Sequence, residues 1–360
     1  MARSSTILIV GGYGHVGRRI AADLHGLGHR SIRLAGRDFS KAAIAASELR
    51  CEAAHIDLSC SETWDAAVAD IGTVIVCVDQ QAVDFPKFVL ERGLIYVDVT
   101  ASDSFFRDVE QLNLLALERG GSAILSVGLA PGLTNLLVKA CAVQMDQPET
   151  ARIGVVLGVG DMHGPVALDW TFAQVALPEA QSAPFVDIAF GTPRRNAPAL
   201  PLEFADQHVV RRTLGLNGAT TLLAFDPPWQ SGPILRMMRF VAVRPRLRGI
   251  AKRLMRLVHL GSDRVSLVVE VHGRHRGEPV TLELLLMGRC EADITAYVAA
   301  LLVDQLGKIA LAPGVHHIEQ VISIEHIVQA LEQRDIAVKV PTSVAHLGPP
   351  SSNGGSVRKI

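Results

Sequence analysis

The stretch ILIVGGYGHVGRRIAADL, residues 7–24, constrains this chain more than any other. Four apolar residues give way to glycines, and apolar residues then recur at spacings of three and four. That change of period predicts a strand, a tight loop and an amphipathic helix. Gly12, Gly14 and Gly17 form GxGxxG across the loop. Glycine at 12 permits the turn, at 14 it lets backbone approach a diphosphate, and at 17 it lets helix and strand pack closely. Free amides at the start of the helix favour an anion there. Tyr13, His15 and Val16 share the crossover and join the three glycines as candidate cofactor residues.

Gly11, Gly14 and Gly17 also spell GxxGxxG, the spacing of short-chain reductases, most of which need a Tyr-xxx-Lys pair. Tyr13, Tyr96 and Tyr297 are followed four positions on by Gly17, Thr100 and Leu301, so that chemistry is disfavoured. An acidic residue about 20 positions beyond the loop would hold the ribose hydroxyls of NAD and repel the 2′-phosphate of NADP. Arg37 stands there, preceded by Gly36 and followed by Ser40 and Lys41. A guanidinium grips a phosphate with two hydrogen bonds, so the expected cofactor is NADP(H). Asp38, next to it, leaves NAD as the other reading. Asp57 is expected either at the adenine edge or as a helix cap, and Val78 and Asp79 near the ribose and nicotinamide.

Short aliphatic runs alternate with helical patterns through the first third of the chain, the mark of βαβ units. Strands are expected at 6–10, 31–35, 51–56, 73–78, 94–97 and 123–127, with helices at 16–27 and 61–69. After Pro131 the strands lengthen: RIGVVLGVG, then RVSLVVEVHG and EPVTLELLLMG, joined by RHRGE into a hairpin. A helix is expected over 292–306, and a last helical pattern over 324–333. The fold class is therefore α/β: a Rossmann-type doubly wound parallel sheet with a second α+β domain carrying a mixed or antiparallel sheet. The expected partition is 1–131, 132–291 and a C-terminal helical segment 292–340. The Gly/Pro/Ser-rich tail 341–360 is expected to be disordered.

Composition narrows the partners. Lys plus Arg (35) nearly balances Asp plus Glu (36), which argues against nucleic acid. Five scattered cysteines without a CxxC pair indicate free thiols in a reducing cytoplasm. HGRH and HHIE lack partners at metal-ligand spacing, so no metal is expected. Residues 236–256 concentrate Arg236, Arg239, Arg244, Arg246, Arg248, Lys252, Arg253 and Arg256 without an acid. A solvated helix face, a membrane surface, a CoA-like handle and a carrier protein all suit that pattern.

With GGYGHVGRRIAADL, LAGRD, YVDVTAS, GLAPGLTNLL, TAYVAALLV and GVHHIEQVISIEHIVQALEQRDI in order along residues 7–338, the chain resembles the saccharopine dehydrogenase-like oxidoreductases. That resemblance implies a Rossmann domain, a substrate domain inserted after the sixth strand and a returning C-terminal segment. The family spans saccharopine reductases, amino-acid dehydrogenases and enoyl reductases, and saccharopine itself is not the expected substrate. Beyond the strand ends, Thr100 is a candidate for the cofactor carboxamide, while Ser102 and Asp103 read as helix caps. Asn135 reads equally as an amide aimed at substrate and as a cap. Asp161 and His163, in GVGDMHG, offer a proton donor. The expectation is a cytoplasmic, homodimeric NADP(H) oxidoreductase acting on a C=N or C–N bond of a small metabolite. An enoyl reductase on an acyl substrate and an NADP(H) sensor without turnover are the alternatives.

Overall fold

The computed structural model describes residues 4–160, 165–191, 193–249, 251, 262–339 and 345–346. Two compact units emerge: Met1–Asn135 with Ala292–His326, and Leu136–Glu291 with Ile327–Ile360.

In chain order the strands are β1 (Ile7–Val10), β2 (Ile32–Gly36), β3 (Glu52–His55), β4 (Thr73–Val76), β5 (Ile95–Asp98) and β6 (Ser122–Leu125), then β7 (Gln147–Gly158), β8 (Val186–Phe190), β9 (Arg195–Leu202) and β10 (Gly218–Asp226). The chain continues through β11 (Arg264–His275), β12 (Glu278–Arg289), β13 (Gly314–His317), β14 (Ala337–Lys339) and the short β15 (Ala345–His346).

The first unit carries a seven-stranded sheet in the order β13-β6-β5-β4-β1-β2-β3, every neighbouring pair parallel. The stretch β3-β2-β1-β4-β5-β6 is the Rossmann order, reversing between β1 and β4. Leu8, Ile9, Leu34, Val74, Ile75 and Val97 are wholly buried, as strands covered on both faces require. Each such side chain contributes roughly 1.5–3 kcal/mol of burial. Helices α1 (His15–Gly26) and α2 (Phe39–Leu49) follow β1 and β2. The seventh strand, β13, is four residues reading GVHH, which the sequence pattern had left unassigned.

The second unit carries a mixed sheet in the order β14-β12-β11-β7-β10-β9-β8, with β15 on β12. Among the described residues of this sheet, only β7 and β10 pair in parallel. The expected hairpin forms between β11 and β12, with His275 opposite Glu278 and a two-residue turn of Arg276 and Gly277, both at positive φ. Right-handed strand twist favours that turn. Val156, Ile188, Phe190, Ala197, Leu222 and Val268 form a core cluster of this sheet. No helix among the described residues is long and apolar enough to cross a membrane.

Candidate dinucleotide-binding site

Parallel strands bring successive loops out on one edge. In the first unit Arg37 leaves β2 there, Asp57 follows β3, Val78 and Asp79 follow β4, and Thr100 follows β5. Between β1 and α1 the loop folds back over β2, where Gly11 N–H and Gly12 N–H donate to the Ala35 carbonyl at 2.8 and 3.1 Å. Gly11 takes φ of +80°, a conformation side chains resist. A Cβ on Gly17 would lie 2.5 Å from the Gly11 oxygen and 2.8 Å from the Gly12 Cα, so only glycine allows this helix-to-loop contact. At Gly14 an added Cβ would meet only the Gly11 oxygen, at 3.0 Å. The first turn of α1 has no acidic residue and its N-cap, Gly14, supplies no side-chain acceptor. The first-turn amides are thus left without a side-chain acceptor, as an anion-binding helix start requires. Tyr13 lays its ring on Gly36, where a Cβ would come within 2.5 Å of Cε1. His15 is exposed and meets Arg19 Nη1 at 3.0 Å through Nδ1, and Val16 is half-buried beside it.

Arg37 and Asp38 take different tasks. Asp38 caps α2, accepting the Lys41 N–H at 3.1 Å, and its other oxygen pairs with Lys41 Nζ at 3.1 Å. The backbone hydrogen bond from Lys41 holds its carboxyl below the usual value. Arg37 is exposed and joins no hydrogen bond or ion pair among the described residues. Ser40 is exposed in the first turn of α2. Asp57 binds Ser59, accepting its hydroxyl at 2.7 Å and its N–H at 2.9 Å. Those bonds, with the Arg37 charge as a lesser contribution, lower its pKa. Its carboxylate thus closes a local turn.

Beside the loop, the Val78 side chain packs against Gly11, 2.7 Å from where a Cβ would stand. Desolvation raises Asp79. Thr100 is spent internally: its N–H donates to Asp98 Oδ1 at 2.8 Å and its hydroxyl donates to the same oxygen. Asp98, wholly buried at the end of β5, also accepts the Tyr96 hydroxyl at 2.5 Å on Oδ2, and Tyr96 in turn accepts Gln80 Nε2 at 2.6 Å. Burial pushes the Asp98 carboxyl up against the opposing pull of these donors, and it pushes the Tyr96 phenol well up. Gln80 Oε1 is buried without a hydrogen-bond partner among the described residues, an unspent acceptor beside this network. Sequence reading missed the Asp98–Tyr96–Gln80 network. The signal was an acidic residue closing an otherwise buried strand.

Two further groups of buried polar residues lie past β6. Asn135 is wholly buried; its Nδ2 donates to Glu319 Oε2 at 3.0 Å, and its Oδ1 accepts the Gly132 N–H at 3.4 Å. The amide is committed within the protein. Ser126 Oγ lies 2.7 Å from His317 Nδ1, and Glu110 Oε1 lies 2.9 Å from His317 Nε2. A carboxylate only accepts, so Nε2 carries a proton, and in the neutral imidazole Nδ1 then accepts from the serine hydroxyl. Ser126 is 0% exposed, and this trio ties β6, β13 and the helix Asp103–Glu110 together. Ser102 caps that same helix, accepting the Phe105 N–H at 3.4 Å. Asp161 and His163 lie outside the described residues, as do Lys252, Arg253 and Arg256.

The residues present suit a dinucleotide: a glycine cradle, first-turn amides and a spare cation one strand away. No protein-family model matches the sequence. Among solved structures, apo saccharopine dehydrogenase (L-Glu forming) from Saccharomyces cerevisiae aligns with a TM-score of 0.62 at 12% identity, covering 94% of this chain and 100% of that one. In fold, this chain is saccharopine dehydrogenase-like. C. glutamicum DAP dehydrogenase in complex with DAP aligns at 0.48 and 13% identity, over 92% of this chain and 99% of that one. An engineered D-amino acid dehydrogenase bound to NADP+ aligns at 0.47 and 13%, over 93% and 100%.

Proposed function

We propose that the chain is an NADP(H)-dependent oxidoreductase that reduces an imine, or oxidises an amine, on a small metabolite. One observation carries the cofactor choice: Arg37 stands exposed and unpaired at the end of β2, while its acidic neighbour Asp38 is occupied in capping α2. In this reading Gly12, Gly14 and Gly17 with the first amides of α1 hold the diphosphate. Arg37 and Ser40 receive the 2′-phosphate, and Tyr13 walls the pocket over Gly36. A bound nicotinamide would supply or accept hydride. Support for C–N chemistry comes from the fold shared with a saccharopine dehydrogenase, an enzyme named for forming L-Glu. His163 stays the candidate proton donor on its chemistry alone.

The test compares wild type with Arg37→Asp while NADPH or NADH is oxidised in mixtures of keto acids and amines. Losing a charge-assisted pair and gaining repulsion costs about 2–3 kcal/mol, so KM for NADPH rises roughly 30- to 150-fold. KM for NADH, which lacks the phosphate, moves less than about threefold. Equal effects on the two nucleotides would remove Arg37 from this role.

A further inference from the structure

The basic stretch noticed in the sequence has a definite geometry in the second unit. The helix Pro228–Ala242 packs one side against β9 and β10 through Leu235, Met238, Val241 and Ala242. Its other side is apolar as well. Trp229 is 74% exposed, Met237 47% and Phe240 55%, and the stripe continues past the helix end through Val243, 50%, and Leu247, 38%. Steps of eight and three residues put Trp229, Met237 and Phe240 on one side of the helix, with Val243 at its C-cap, while Leu247 lies in the separate helical turn at 245–249.

Cations flank the stripe. Residues 227–262 contain no Asp or Glu. Arg236, Arg244, Arg246 and Arg248 form no ion pair with a described carboxylate. Two of them lean on aromatic rings: the Arg244 guanidinium lies 3.7 Å from the Phe240 ring centre, and that of Arg236 lies 5.7 Å from the Phe185 ring. Arginines with stems along apolar surface and heads at its margin are arranged as at a lipid headgroup boundary.

We propose that this face docks the protein onto an anionic phospholipid surface. The helix lies flat, with Trp229, Met237, Phe240 and Leu247 entering the headgroup boundary and the arginines meeting lipid phosphates. Charge decides between lipid and the alternative of a second copy of the chain. A two-fold pairing would set this one-sign strip against itself, and like charges repel. An anionic bilayer satisfies the charge and the apolar stripe together. No described helix is suited to crossing, so the docking is interfacial.

The test is flotation of the full-length chain with phosphatidylcholine vesicles, with and without about one-third phosphatidylglycerol. Binding is expected to the anionic vesicles, at least tenfold weaker to the neutral ones, and weakened by molar salt. The double variant Met237→Glu/Phe240→Glu, with an unchanged circular dichroism spectrum, should lose at least tenfold in partition. Arg246→Glu/Arg248→Glu, which changes only side chains outside the core, should lose as much and keeps the test open if the first variant misfolds. Equal binding to both vesicles, or full binding by the charge variant, would overturn the proposal. So would a dimer that Phe240→Glu dissociates, or retention on nucleic acid, in the absence of vesicle binding.

Discussion

Gly17→Ala is expected to cut dinucleotide affinity at least 100-fold and to destabilise the first unit by about 1–3 kcal/mol, the usual cost of overpacking. The sign needs argument, because alanine inside a helix gains about 1 kcal/mol over glycine. Here the added methyl would meet the Gly11 oxygen at 2.5 Å, the Gly12 Cα at 2.8 Å and the Gly11 carbonyl carbon at 3.0 Å. All three are backbone atoms, so no side chain can swing away. The start of α1 must tilt off the loop, and that moves the first-turn amides away from the position they share. Affinity falls further than stability because a small displacement removes several hydrogen bonds at once. Urea unfolding and a fluorescence titration separate the two effects. Unaltered binding in a folded Gly17→Ala variant would contradict the cradle.

His317→Ala is expected to destabilise the first unit by about 3 kcal/mol. The ring is 3% exposed, packs edge-on against Phe106 at 5.8 Å between centroids, and joins Ser126 to Glu110. Truncation opens a cavity and strands a buried hydroxyl, two costs that add. Glu110 is 28% exposed at its side chain and turns to water, so it contributes less. Ser126→Ala removes one hydrogen bond without creating a large void and should cost about 1–1.5 kcal/mol. Equilibrium urea unfolding reads all of these. A loss below about 1 kcal/mol for His317→Ala would show that the trio is not the tie between β6 and β13 described above.

β1, β2, β4, β5 and β6 were legible because they are short, largely apolar runs, as parallel strands buried on both faces are. β13 escaped because GVHH is four residues long and half histidine. What makes it a strand is Gly314–His317 pairing with Ser122–Leu125, a partner nearly 200 residues away. β9 was hidden by Pro198 and Pro201, residues that argue against an interior strand. The glycine loop and the position of Arg37 after β2 could be read from spacing alone, since both are local in sequence. Asn135 and Thr100 could not: their partners are Glu319, across the fold, and Asp98, whose burial sequence does not reveal. That Asp38, read from the sequence as a candidate for NAD, caps α2 through the Lys41 amide was not foreseen.

Calorimetric titration of the wild-type chain with NADPH and with NADH tests the central claim most directly. A cradle for two phosphates with a cation poised for a third predicts saturable one-to-one binding of NADPH, at least tenfold tighter than NADH, with the advantage shrinking as salt is raised. Absence of heat and of saturation with either nucleotide at millimolar concentration would contradict it.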